Sequence, residues 1–378
     1  MLPDRVVEAL RGLPRPVCAY VYDRAVLRAR AAALTAVLPA GARLLYAVKA
    51  NGHPEVIRAL ASTVDGYEVA SGGELALVAS AGTAGAARPL VAFSGPAKTD
   101  DELAAAHAHG CVIHVESAHE LRRLAALVPA GGPPARVAIR VNRAGAVPAG
   151  THRMTGEPTP FGVDASELPA VLALAAELST VDFIGFHLHA VSNNLDASAH
   201  VAFVRDALDW AGPRPYVNVG GGLGVDYTGA TEFDLDALRG LPAHPGLVLE
   251  PGRWLAADAG WYAAEVLDVK RSHGRWFAVL RGGTHHFRLP AAWGYSHPFE
   301  VLPVDAWPYP FARPQVRDAR VDLVGELCTP RDVLARDAYV RHLRAGDIAV
   351  LPRTGAYGWD ISHHEFLRHP YPQTVFVG

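Results

Sequence analysis

The chain has 378 residues, half of them hydrophobic and 19% charged, with a net charge of −3. That is enough for a substantial core in one or two domains, and the near-neutral balance gives no electrostatic case for nucleic acid or an anionic membrane surface as a partner. Three scattered cysteines (Cys18, Cys111, Cys328) exclude a disulfide framework or a four-cysteine zinc site, and with no membrane-length apolar run a soluble, cytoplasmic protein is expected.

Residues 1–22 read as an amphipathic helix followed by a strand at Val17–Tyr22, and an Ala/Arg-rich helix covers Arg24–Val37. Eight short β-branched runs follow, at Leu44–Lys49, Val64–Ala70, Leu90–Ser94, Val112–Val115, Val137–Asn142, Val181–His189, Tyr216–Val219 and Leu247–Glu250. Ala/Leu-rich helical stretches separate them, which is the count of a (β/α)8 barrel; a doubly wound open sheet has the same periodicity and stays open at this point. After about residue 256 the helical pattern thins, and Trp261–Val269, Trp276–Leu280, Val321–Val324 and Ile348–Leu351 read as strands of an antiparallel β domain, with the proline-rich stretch Pro303–Pro314 irregular. The expected division is a barrel over residues 23–256 and a β domain made of residues 1–22 and 257–378.

Polar residues collect at the strand ends, where barrel enzymes build their active sites. Of the 35 basic residues only Lys49, Lys98 and Lys270 are lysines, and Lys49 ends an apolar strand. Arginine would supply the same charge there but could not deprotonate to a nucleophilic amine; a lysine snorkelling to solvent is the plain structural alternative. Gly220-Gly221-Gly222 after the seventh strand can turn backbone N–H groups towards an anion such as a phosphate. Glu250, in Glu250-Pro251-Gly252-Arg253, follows a buried strand and needs a cationic or N–H partner: Arg253 itself, or a cofactor's ring nitrogen. His187 and His189 alternate on one strand face, which suits ring stacking or a metal pair, but no upstream strand end offers a third histidine, so no metal is expected. Cys328 and Tyr357 lie in loops of the second domain. A lysine amine, a phosphate cradle, a ring-nitrogen carboxylate and a stacking histidine together suit pyridoxal 5'-phosphate.

With these motifs in order, the sequence resembles the fold-type III pyridoxal-phosphate enzymes of the alanine racemase-like barrel, in the group of diaminopimelate and ornithine decarboxylases. Tyr46–Asn51 is similar to the motif of the lysine that bonds the cofactor, and Ser71-Gly72-Gly73-Glu74 and Gly185–His189 follow. The resemblance implies that His189 stacks on the cofactor ring, that Ser192, Gly221, Gly222 and Tyr357 hold its phosphate, and that Glu250, with Arg253 in the same motif, meets its pyridine nitrogen. It also implies a homodimer in which Cys328 comes from the neighbouring subunit as the catalytic cysteine.

Departures from the lysine-pathway enzymes bear on the substrate. An acidic residue usually follows the cysteine; here Thr329-Pro330-Arg331 follows, and Val191 stands where a glycine usually precedes the phosphate serine. Gly282–Pro290 and Asp360–Leu367 resemble the branch of carboxylate siderophore biosynthesis, which decarboxylates a citryl–amino acid conjugate. An anionic substrate agrees in sign with Arg288, Arg331, His285 and His363, which with Thr329 are the candidate substrate contacts. The expected activity is therefore removal of an α-carboxylate from a citryl-diaminopropionate-like amino acid. The alternatives are a diaminopimelate or other basic amino-acid decarboxylase, an amino-acid racemase, a non-catalytic cofactor-binding protein and a metal-dependent hydrolase. Glu250 and Cys328 speak against the racemase, and the second domain against the carrier.

Overall fold

The computed structural model describes residues 2–82, 89–145 and 147–378. The chain forms two compact units, one from Met1–Leu27, Tyr227–Ala230 and Ala256–Gly378, the other from Arg28–Asp226 and Thr231–Leu255.

The second unit is a closed parallel barrel. Its strands are β1 (Arg43–Ala47), β2 (Gly66–Val69), β3 (Leu90–Phe93), β4 (Val112–Val115), β5 (Ala135–Asn142), β6 (Val181–His187), β7 (Tyr216–Asn218) and β8 (Leu247–Leu249). Each pairs in parallel with the next, and β8 returns to β1 through Val248–Arg43 and Leu249–Leu44, which closes the ring and removes the open-sheet alternative. Parallel strands enclosed by helices are buried on both faces, which is why these segments read as short continuous apolar runs. One interior cluster takes Leu45, Ala92, Val112, Ala138, Ile184, Tyr216 and Val248 from seven strands. Opposite Leu45 in register, β2 supplies Gly66, where a Cβ would lie 1.8 Å from the Leu90 carbonyl oxygen.

The helices that follow the strands start where the side chains instruct them to. Ser71, Thr99, Ser117 and Asp196 each accept the backbone N–H three residues on, and Thr99 with Glu102 forms a reciprocal capping box. These caps fix where each βα loop ends, and so where its polar residues stand on the barrel rim. Among the described residues no helix is long and apolar enough to cross a membrane.

The first unit is an eight-stranded sheet. Its N-terminal strand Cys18–Asp23 lies antiparallel to Gly260–Ser272 and parallel to Gln373–Val377. Gly260–Ser272 also pairs antiparallel with Arg275–Leu280 and Ile348–Leu351, and Gln315–Val324 with Val333–Arg344. Arg275–Leu280 and Gln315–Val324 are parallel neighbours, so the sheet carries two parallel pairings among its antiparallel ones. Period-two alternation gives it two faces: Tyr20 and Tyr22 pack with Tyr262, Leu323 and Leu351, whereas Ala19 and Val21 pack with Val6 and Leu10 of the helix Asp4–Arg11. Val333–Arg344 and Gln373–Val377 were not anticipated as strands, because charged and half-exposed residues interrupt their apolar alternation.

Leu45 sits in the middle of the barrel cluster with no solvent exposure. Leu45→Ala is expected to lower barrel stability by about 2–5 kcal/mol, read as an earlier urea transition in tryptophan fluorescence.

Candidate active site

β1 stops at Ala47, and Lys49 lies in the single 3-10 turn Val48–Ala50 rather than on the strand itself. The Asn51 N–H closes that turn on the Val48 carbonyl at 3.0 Å. The lysine side chain is 41% exposed, and its Nζ donates to Oε2 of Glu68 at 2.7 Å. Glu68, on the adjacent strand β2, is fully buried, and its other oxygen has no partner. Burial raises the Glu68 carboxyl above the ordinary range, the Lys49 ammonium opposes this, and Glu250 adds to it.

Glu250, just past β8, is also buried, at 4% exposed. It does not pair with Arg253, which begins a one-turn helix; instead Oε1 lies 3.1 Å from His187 Nε2 and Oε2 accepts from Asn218 Nδ2 at 2.7 Å. Asn218 is oriented by its own Oδ1, which accepts the Gly220 N–H at 2.8 Å, so its amide nitrogen is left to donate to both Glu250 and Tyr216 Oη. His114 continues the network, with Nε2 at 2.8 Å from Tyr216 Oη and Nδ1 at 2.8 Å from Ser94 Oγ. Its ring stacks on His187 at 4.1 Å. Burial holds His114, His187 and His189 far below the ordinary histidine pKa, assisted at both His187 and His189 by the Arg140 and Lys49 charges. All three rings are therefore neutral, and Glu250 has only neutral donors at hydrogen-bond distance.

His114, His187 and Glu250 have ligand atoms within 4.8 Å of one another, the spacing of a metal site. Both nitrogens of His114 are already committed to Ser94 and Tyr216, so the group reads as a hydrogen-bonded stack.

Gly220 and Gly222 have φ of 76° and 89°, and a Cβ on Gly220 would lie 2.1 Å from His189 Nδ1. Glycine there lets the histidine ring close onto the loop. The loop's carbonyls are used, Gly220 accepting from Glu250 N–H and Gly222 from Asn194 N–H, whereas the N–H groups of Gly221 and Gly222 donate to nothing among the described residues. Ser192 lies beside this loop on a two-residue strand paired with His152–Arg153.

The remaining candidates belong to the sheet unit. Cys328 is exposed in the turn after Leu327, and Asp332 holds that turn by accepting the N–H groups of Leu327 and Thr284 at 2.8 and 2.6 Å. Arg331 is exposed and Thr329 half-buried. His285 is fully buried beside the Arg281–Glu326 ion pair, with Nε2 at 3.5 Å from Glu326. His286, its ring tilted at 45° with centroids 3.8 Å apart, is pushed down to about 2 by burial and then by the His285 and Arg281 neighbours. Arg288 and His363 are exposed. His363 is lowered by desolvation, then by His285 and Arg288, which places these three basic groups in one neighbourhood. Tyr357 is half-buried with φ of 52°. Glu68, His114, Tyr216 and Asn218 were missed as site residues: a single polar residue inside an apolar strand looks like core, and only the closed ring brings them together.

The family described as pyridoxal-dependent decarboxylase, pyridoxal binding domain, matches residues 24–257. The chain belongs to this family. A 2-[(L-alanin-3-ylcarbamoyl)methyl]-2-hydroxybutanedioate decarboxylase of Staphylococcus aureus is 38% identical, covering 98% of this chain and 97% of that protein. A diaminopimelate decarboxylase of Deinococcus radiodurans is 33% identical over 88% of this chain and 83% of its own. Among solved structures, the diaminopimelate decarboxylase of Helicobacter pylori complexed with L-lysine superimposes with a TM-score of 0.83 at 24% identity, covering 98% of this chain and 93% of that one.

The protein is a pyridoxal-phosphate-dependent decarboxylase, and its site fits the cofactor. A partly exposed primary amine, two N–H groups and a buried carboxylate that among the described residues have no acceptor and no cation, and a flat neutral imidazole are groups that could take an aldehyde, a phosphate, a pyridine nitrogen and a ring face.

The neutral barrel histidines fix the sign of the pH dependence. His200, pushed down to about 4 by burial, joins His114, His187 and His189 as groups that take up protons more readily when unfolded. Their contribution is complete above the unfolded histidine pKa and is lost as pH falls below it. Melting of the full chain is expected to lose about 1.4 kcal/mol per pH unit for each such histidine below about pH 6.5, read as a falling Tm towards acid.

Proposed function

We propose that this decarboxylase removes the α-carboxylate of an anionic amino-acid conjugate, a citryl amide of 2,3-diaminopropionate or a close analogue. The observation that carries this is the near end-to-end similarity to the Staphylococcus aureus enzyme, whose substrate name describes such an amide. Arg288, His285 and His363 support it as a basic neighbourhood suited to carboxylates, as does the sequence Thr329-Pro330-Arg331 beside Cys328. Diaminopimelate, the substrate named for other relatives, carries a distal ammonium that Arg331 would repel.

When bound, pyridoxal phosphate supplies an aldehyde that captures an amine and a ring that accepts the electron pair left by the departing carboxylate. Lys49 holds the amine that bonds it. When it is bound, Gly221, Gly222 and Ser192 would hold its phosphate and His189 would face its ring, and the family resemblance assigns Arg253 and Tyr357 to cofactor binding as well. Glu250 keeps a proton on the ring nitrogen, because a buried carboxylate with two neutral donors gains most from a cationic third partner. Cys328 delivers a proton from Sγ to the α-carbon. Arg288, Thr329, Arg331 and His363 form the end that reads the anionic group; His285, expected from the sequence as a substrate contact, is fully buried and is withdrawn from that role. The working form is a homodimer in which Cys328 reaches the barrel of its partner, and three free thiols support a cytoplasmic location.

Holoenzyme given citryl-diaminopropionate, diaminopimelate and ornithine in parallel is expected to release CO2 from the first at least tenfold faster in kcat/KM, a difference of about 1.4 kcal/mol. Turnover of diaminopimelate alone would refute the substrate assignment. Lys49→Ala and Cys328→Ala proteins should each be inactive and regain CO2 release when mixed and allowed to exchange subunits. Failure of the mixture, with both variants folded, would place both residues in one chain's site or remove one from it.

A further inference from the structure

Lys49 must exist in two protonation states if it is to bond a carbonyl: the ammonium cannot attack, and a free amine at neutral pH needs somewhere for its proton to go. Glu68 is an acid in direct contact with it. Its Oε2 accepts from Nζ at 2.7 Å, its carboxylate has no solvent exposure, and Oε1 has no hydrogen-bond partner. The parallel pairing of β1 with β2, in which Ala47 stands opposite Glu68, brings the carboxylate under the turn that carries the lysine. At 41% exposure the amine stays accessible from above while its proton acceptor is sealed below.

We propose that Glu68 is a positioning residue that stores the Lys49 proton. The Nζ–H bond breaks, an O–H bond forms at Oε2, and the pair passes from ammonium–carboxylate to amine–carboxylic acid with no change in net charge. A surface carboxylate would be a poor store, because water stabilises its ionised form; burial lifts Glu68 towards the neutral acid. Neighbouring charges shape the exchange from every side. Glu250 just past β8 disfavours a second carboxylate, while Arg140 on β5 and Lys98 after β3 set a positive background over the neutral imidazoles of His114 and His187. An arginine in place of Lys49 could form the same ion pair but could not give up the proton. A chain with three lysines among 35 basic residues has one here.

The inference rests on Lys49 as the cofactor-bonding amine, and its test reads the lysine directly. Competitive acetylation of the full-length chain across neutral and alkaline pH, followed by mass spectrometry, gives a titration curve for each of Lys49, Lys98 and Lys270, with exposed Lys270 as internal reference. In Glu68→Gln the Lys49 curve is expected to move down by about 1–3 units while Lys270 stays in place. Glu68→Asp, which keeps the charge on a shorter arm, should fall between the two. The rate of pyridoxal-phosphate uptake by the full chain, followed by absorbance, should lose the same pH step. Superimposable Lys49 curves in wild type and a folded Glu68→Gln protein would overturn the proposal. Should Glu68→Gln not fold, an unshifted Lys49 curve in Glu68→Asp together with an unchanged uptake profile would do so. If instead borohydride fixes the cofactor on Lys98 or Lys270, the reading of Lys49 fails, whatever the Glu68 variants show.

Discussion

A carboxylate with no cation beside it governs the mouth of the barrel. Glu250 is taken out of water by the strand that precedes it, and its neighbours offer two hydrogen bonds but no positive charge. Leaving a buried carboxylate so supplied is expensive unless a charged partner arrives from outside the chain. The surrounding side chains keep that vacancy of charge intact. Asn218 is turned by the Gly220 N–H so that its donor, never its acceptor, faces Glu250, and three imidazoles nearby are held neutral by burial. Lys49 donates to Glu68. The site thus gives one of its two buried acids a lysine and the other only neutral donors, which is why the proposed function sets the cofactor's ring nitrogen against Glu250.

The network reaches deeper than the residues that would touch a ligand. His114, Tyr216 and Ser94 lie below the mouth, and their polar atoms satisfy one another in a chain that ends at Asn218 and Glu250. A polar chain satisfied along its length holds one geometry, whereas a partly satisfied one would be free to rearrange. Tyr216 belongs to the same interior cluster as Leu45 and Val248, so the polar chain starts from that layer and runs through His114 and Asn218 to Glu250 past the end of β8.

Much of this was legible from residue order. Short apolar runs separated by capped helices indicated parallel strands, and Lys49, the glycine triplet and Glu250 announced themselves by standing at strand ends. Closure of the ring could not be read, because nothing in β8 encodes that its neighbour is β1 some 200 residues earlier. Glu68 and His114 were illegible for the same reason: each is a single polar residue in an apolar strand, and its meaning depends on which strand lies alongside. The strand Val333–Arg344 was hidden differently, by arginines and an aspartate on its exposed face.

The N-terminal strand Cys18–Asp23 has an unusual history during synthesis. Both of its sheet partners, Gly260–Ser272 and Gln373–Val377, emerge only after the whole barrel has been made. The barrel segment can therefore close while the first strand waits unpaired, and the sheet is finished only once Gln373–Val377 has been made. Loss of Gln373–Val377 would leave the Cys18–Asp23 strand with an unpaired edge, the kind of edge on which another chain can pair.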